Sequence, residues 1–373
     1  MKKNTDRLLI AVFLIFIFGF GISIFAKPKN NFSVSENRAL ETLEGISLED
    51  ALTGELSRRL SNFFCDQFPQ RSRFTAIKAK TEHSLGRGEN NGVIFGRGGY
   101  LMIKPVYREL TAYRENLAAI SDFCEKYDTD EVDVSVFFAP RGVDVLGAYL
   151  PEGYSDSNTS KVWDIAHAEL PFLIDANPEI SSAACAGEYV WYRTDHHWSA
   201  EGAYLAYEKI SEALGYPALP KERFEKTTLS EDFYGTVYSK SGVAEAVADE
   251  ITVYSDGLER TVVNYDTKEV GDSLYFYEHL EKKDKYSVYL GGNHAHIGIY
   301  SEGERETVLV IKDSFANSVI PYLASEHNLE VFDLRYFKGR ISEEIERIAP
   351  DKILILYGID TAVTDPSPRY LSR

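Results

Sequence analysis

The chain is short of cysteine, methionine, tryptophan and positive charge. Of its 373 residues three are Cys, two Met and three Trp. Cysteines at 65, 124 and 185 are sparse and odd in number, so they do not form a disulfide framework, and the absence of a CxxC spacing speaks against a thiolate zinc site. A single bridge and a set of buried thiols are the two readings left open. The 40 Lys and Arg residues face 58 Asp and Glu, a net charge of -18, with no Lys/Arg run beyond short clusters. Phosphate contact needs basic patches, so nucleic acid is excluded as a partner.

One apolar stretch is long enough to matter. Leu8–Ala26 is 19 residues without a charge, preceded by Lys2, Lys3 and Arg7. A bilayer core takes roughly 20 apolar residues as helix, and leading basic residues favour an inward N-terminus. A cleaved signal peptide has a shorter apolar region of about 7–15 residues, and Ile24-Phe25-Ala26 is a poor cleavage site. The expectation is an uncleaved single-pass anchor in the cell membrane over residues 1–27, N-terminus inside and the rest extracytoplasmic. The chain is otherwise ordinary for a globular protein, 44% hydrophobic and 26% charged. It is rich in rings, with 24 Tyr and 21 Phe, which suit carbohydrate or peptide contact where they are not core.

Residues 28–100 read as a tether and a helical arm. Leu48, Leu52, Leu56, Leu60 and Phe63/Phe64 recur at helical spacing within 47–77, broken at Phe68-Pro69. From 101 to 373 strands and helices alternate: helix 107–127, strand 132–138, helix 158–170, strand 172–174, helix 200–214, strand 308–311, helix 316–325, strand 331–334, helix 342–348 and strand 353–357. Such alternation predicts an α/β fold, a parallel sheet with helices on both faces. Residues of about 220–300 break the pattern with short alternating Tyr/Val/Thr runs and read as a β-rich insertion of hairpins.

The titratable chemistry is concentrated in Arg193-Thr194-Asp195-His196-His197-Trp198-Ser199, a loop just before a helix start. Asp195 and His197, two apart in an extended loop, can share a face. A serine hydroxyl needs an imidazole to take its proton and a carboxylate to orient that imidazole. Ser314 follows a strand and precedes a helix, the carboxyl-end position where open α/β sheets bind ligands and where helix N–H groups can stabilise an oxyanion. Taken alone, a serine in the place of Ser314 reads as a helix cap.

The Thr194–Trp198 segment matches the name-giving motif of the DHHW family and is similar to the Asp-x-His-Trp motif of alginate O-acetyltransferases and related SGNH-like proteins. Ser35-Glu36-Asn37-Arg38, residues 66–71, 96–101 and Val310–Asn317 resemble further family blocks in the family order. This resemblance implies an SGNH-hydrolase-like, flavodoxin-like sheet and a triad of Ser314 as nucleophile, His197 as base and Asp195 as orienter. It also implies acetyl transfer to exported polysaccharide, with a membrane-bound acyltransferase partner as donor and no cofactor. Where many relatives read Gly-Asp-Ser, this chain reads Lys312-Asp313-Ser314, and lysine cannot relax a turn as glycine does.

Other residues have two readings. Gly292 and Asn293 are oxyanion donors or a glycine turn. Trp198 stacks on a sugar or packs beneath the loop. Arg141 meets an anionic sugar or is a surface arginine. His196 reads as structural. His294 and His296 with His197 and Asp195 would make a zinc or manganese site. The function expected is therefore an extracytoplasmic O-acetyltransferase or acetylesterase acting on polysaccharide. The alternatives are a surface polysaccharide-binding protein with an inert triad, and a metal-dependent hydrolase.

Overall fold

The computed structural model describes residues 2–33, 38–107, 109–155, 157–243 and 246–372. Ser35, Glu36 and Asn37 of the first family block lie outside the described residues. The chain forms two compact units, residues 1–91 with 239–245, and residues 92–238 with 246–373.

The first unit begins with the helix Lys2–Ala26. Within it Thr5–Ala26, of mean hydropathy 2.9, is the one helix among the described residues long and apolar enough to cross a membrane. Such a helix is a signal sequence or an anchor. Residues Leu8 to Phe18 expose their apolar side chains, while Phe20 stacks on Phe68 at 4.9 Å and Phe25 meets Phe63 and Phe64. Three helices follow, Leu48–Thr53, Glu55–Asp66 and Arg71–Ser84. Ser47 and Asp50 cap the first by bonding each other's backbone N–H.

The second unit is mixed α/β, built on one eight-stranded sheet. Five strands are parallel, side by side in the order Asn328–Phe332, Thr307–Lys312, Lys352–Gly358, Asp133–Ala139 and Leu173–Ile174. The three central ones read as near-continuous apolar runs because both faces are covered. Val308, Val310, Leu354 and Leu356 point into one core with the helices Asn177–Cys185 and Ala200–Ala213. Leu309, Ile311, Ile353 and Ile355 point into the other with the helices Thr111–Tyr127, Ser157–Glu169 and Ile341–Ile348.

The region expected to be an insertion of separate hairpins is in part an extension of this sheet. His296–Ser301 pairs antiparallel with Asn328–Phe332, Arg260–Asn264 pairs with His296–Ser301, and Glu269–Gly271 forms the edge. His296–Ile299 are buried, so pairing to the parallel edge covers apolar surface that a free hairpin would leave in water. Glu225–Phe233 and Asp249–Ser255 do form a separate hairpin.

The helix expected over 316–325 is shorter, a 3-10 turn Ser314–Ser318 and one α-turn Ile320–Leu323. Pro321 lacks the N–H to continue a helix begun at Ser314 and sits instead in the first turn of the second piece. The cysteines are unpaired among the described residues, Cys65 and Cys185 exposed and Cys124 buried. This corrects both readings, a bridge and a wholly buried set.

Strand order places the site. After Thr307–Lys312 the chain passes to Asn328–Phe332 on one side, then crosses to Lys352–Gly358 on the other. Ile320 and Leu323 of the first connection lie in one core, and Ile341 and Ile345 of the second in the opposite core. The two connections diverge at the carboxyl end of Thr307–Lys312, the switch point where α/β sheets open a crevice.

Candidate active site

Ser314 occupies that switch point. Its backbone needs no left-handed conformation, since none of Lys312, Asp313 and Ser314 has positive φ. Lys312 is the last residue of the strand, so the turn does not call for glycine there. Asp313 holds the turn rather than joining a proton relay. Its Oδ1 accepts from the Phe315 N–H at 2.9 Å, and its Oδ2 accepts from the Gly358 N–H at 2.7 Å and the Thr361 hydroxyl at 2.6 Å.

The Asp195–Trp198 loop is braced from both ends. Tyr192 N–H donates to His197 O, Ser199 N–H to Val190 O, and Ser199 caps the helix Ala200–Ala213. Beneath it the buried Asp249 carboxylate accepts from the Arg193 N–H at 2.7 Å and the Thr194 N–H at 2.8 Å, and from the Thr194 and Tyr189 hydroxyls.

Although 117 positions apart in the chain, Ser314 and His197 meet. His197 Nε2 lies 2.8 Å from Ser314 Oγ, and His197 Nδ1 lies 2.6 Å from Asp195 Oδ1. An ionised carboxylate only accepts, so Nδ1 carries the proton and Nε2 is left to accept from the serine hydroxyl. Asp195 Oδ1 also takes the His197 N–H at 3.1 Å, and Oδ2 takes the Thr236 N–H at 2.7 Å and its hydroxyl at 2.9 Å. Burial by itself raises this carboxyl, but the His196 and His197 charges and these hydrogen bonds outweigh it and hold Asp195 well below the ordinary carboxylate range. Thr236 can approach because Gly235 has no side chain: a Cβ there would lie 2.3 Å from Asp195 Oδ2.

The imidazole is enclosed by rings. Tyr286 stacks flat on it, centroids 3.9 Å apart and 6° between planes, His196 lies 3.8 Å away, and Phe315 meets it edge-on at 4.9 Å. A cleft of about 220 Å³ opens over Ser314, lined also by His196, Phe315, Trp191, Arg141 and Arg335.

The remaining expected residues sort differently. Gly292 and Asn293 do not line the cleft. The Gly292 N–H is bonded to Tyr289 O at 3.1 Å, and Asn293 Oδ1 accepts from Lys312 Nζ at 2.9 Å. Trp198 is buried, its indole N–H donating to Ser318 Oγ at 2.9 Å, and it packs rather than stacks on solvent-borne rings. Trp191 takes the lining position instead. Arg141 does line the cleft but is buried, not a surface arginine, its guanidinium held by both Asp144 oxygens and by the Tyr107 hydroxyl. His196 bonds Thr236 Oγ1 through Nδ1 at 2.7 Å.

The His294/His296 metal set is not assembled. His296 pairs with Glu330 at 2.5 Å and His294 with Asn264 at 3.0 Å. The group of metal-type donors found among the described residues is Asp195, His196 and His197. Its Asp195 and His197 atoms are already bonded to each other.

The DHHW protein family model matches residues 181–333. This segment is similar to that family. The DHHW segment carries Asp195, His197 and Ser314 alike, together with Tyr286, Thr236 and Asp249. A probable alginate O-acetylase AlgJ of Pseudomonas fluorescens is 21% identical over 171 residues, 44% of this chain and 43% of that protein. The corresponding Pseudomonas putida protein is 24% identical over 176 residues, 45% and 46%. The chain thus spans less than half the length of the curated relatives it matches. In fold it is similar to a DHHW family protein of Eubacterium siraeum, with TM-score 0.65 and 22% identity over 76% of this chain and 96% of that one. It is also similar to Bacillus cereus PatB1, with TM-score 0.63 and 17% identity over 74% and 97%.

Proposed function

We propose that this protein is an extracytoplasmic acyl-transfer enzyme on an SGNH-like fold, held at the membrane by its N-terminal helix and moving acetyl groups on polysaccharide. The observation that carries the reading is the unbroken line of hydrogen bonds Ser314–His197–Asp195 at the mouth of a cleft. Its likeness to proteins named alginate O-acetylases supports acetyl and polysaccharide as the chemical classes.

His197 Nε2 takes the Ser314 proton as Oγ attacks the acyl carbonyl. The resulting oxyanion takes the Ser314 N–H, the donor that opens the 3-10 turn; the Phe315 and Ala316 N–H groups are already bonded to Asp313. The imidazolium, held by Asp195, returns its proton to the departing oxygen or sulfur of the donor, leaving acyl-Ser314. A sugar hydroxyl, or water, then gives its proton to His197 as it attacks the acyl carbon, and His197 passes that proton to Ser314 Oγ as the ester bond breaks, restoring both groups. A membrane acyltransferase fits the role of donor, since the anchor would hold the cleft beside it.

The test is turnover of an aryl acetate by the full chain in detergent, beside Ser314→Ala. Loss of about 10³-fold or more in kcat is expected from removing a triad nucleophile. Equal turnover by both proteins would sink the reading and leave a surface polysaccharide-binding protein.

A further inference from the structure

A chain of hydrogen bonds runs behind the relay. The Trp198 indole N–H lies 2.9 Å from Ser318 Oγ, Ser318 Oγ lies 3.1 Å from the Tyr286 hydroxyl, and that hydroxyl lies 3.0 Å from the Ser314 carbonyl oxygen. An indole only donates and a carbonyl only accepts, so every proton in the chain points toward Ser314. Trp198 adjoins the base in sequence, and the chain ends on the backbone of the nucleophile. The same Tyr286 lays its ring on the His197 imidazole at 3.9 Å.

From this geometry we infer that Tyr286 is the positioning residue of the acyl-transfer centre, fixing base and nucleophile with one side chain. It rests on the proposed acyl-transfer reading. The hydroxyl sets the height of the Ser314 turn under the base. The ring fixes the tilt of the imidazole and offers a π face to the imidazolium that forms when Ser314 gives up its proton. Its own surroundings hold Tyr286 still: it is buried beside Tyr192, Phe233 and Tyr289 in an aromatic cluster. Burial also pushes its hydroxyl well above the ordinary tyrosine range, so it stays a donor at working pH.

Two substitutions separate the two duties. Tyr286→Phe keeps the ring and removes the donor, and is expected to lower kcat on an aryl acetate by about tenfold with KM unchanged. Tyr286→Leu removes both, and is expected to lower kcat by about 100-fold. A packing role alone would not lower kcat while leaving KM unchanged.

If Ser314→Ala abolishes turnover while Tyr286→Phe stays within about twofold of the native rate, Tyr286 does not position the centre. That outcome stands even where the leucine variant fails to fold. If Ser314→Ala itself leaves turnover intact, the acyl-transfer reading is what has failed.

Discussion

The parallel strands and the β-rich stretch 225–301 make different contributions to the site. The parallel half supplies the hydroxyl proposed to react. Its strand Thr307–Lys312 leads through Asp313 into Ser314, and its neighbour Lys352–Gly358 ends where the Gly358 N–H holds Asp313. Residues 225–301 supply no reacting group. They supply the atoms that hold one: Thr236 on the Asp195 carboxylate, Asp249 under Thr194, and Tyr286 on the His197 ring. A reacting group needs a rigid strand end, whereas its orientation needs contacts from a second direction, which the parallel strands alone do not offer.

That division can be broken, beginning where the effect is largest. Asp195→Asn replaces the acceptor of the Nδ1 proton with an amide and is expected to cut kcat on an aryl acetate by about 10⁴-fold, with the fold intact by circular dichroism. Gly235→Ala tests the supporting region from inside. Its Cβ would meet Asp195 Oδ2 at 2.3 Å and Asp195 Cβ at 2.4 Å, so the carboxylate or the 234–236 segment must move. A loss of about 100-fold is expected for displacement of this order. Native activity in Gly235→Ala would show that the β-rich region is not a support at all.

Thr236→Val keeps the shape and the backbone donor but loses the hydroxyl that bonds Asp195 and His196. About a tenfold loss or less in kcat is expected, read on the same assay. The smallest effect concerns stability on the parallel side. Lys312 is buried with its ammonium on Asn293 and Asn317. Burial pushes it down to about 8, against the pull of Asp333. Between that value and the ordinary lysine value the unfolded chain holds a proton that the folded chain has released, so stability gains from this group as pH rises through that window. The native protein should gain up to about 1 kcal/mol per pH unit more than Lys312→Met there, measured by urea unfolding. Parallel curves for the two would mean that the ammonium is not desolvated.

The parallel half was readable because its signals are local. Apolar runs such as Val308-Leu309-Val310-Ile311 stand out, and an Asp-Ser step follows at once. The Asp195–Trp198 cluster was equally plain, since its reacting groups are adjacent. The antiparallel half was not readable in the same way. Short runs such as Thr261-Val262-Val263 alternate weakly, and nothing in them states which strand they pair with. Asp249, Thr236 and Tyr286 carried no local mark either. One tyrosine among 24 does not announce that it lies on an imidazole; only the general excess of tyrosine hinted at an aromatic layer. The oxyanion expectation at Gly292 and Asn293 failed for the same reason. Along the chain nothing shows that the Gly292 N–H bonds Tyr289 O and that the Asn293 amide oxygen takes the Lys312 ammonium.

The linear order of residues was enough to mark an apolar N-terminal helix, an alternating α/β body, and the serine, histidine and aspartate most fit to pass a proton. Those features depend on neighbours within a few positions. Tertiary structure alone decided that the hydroxyl and the imidazole come within hydrogen-bond reach, that the β-rich stretch joins the main sheet, and that Tyr286 backs both groups. Such outcomes rest on strand register and on the packing of distant side chains, which no short window of sequence contains.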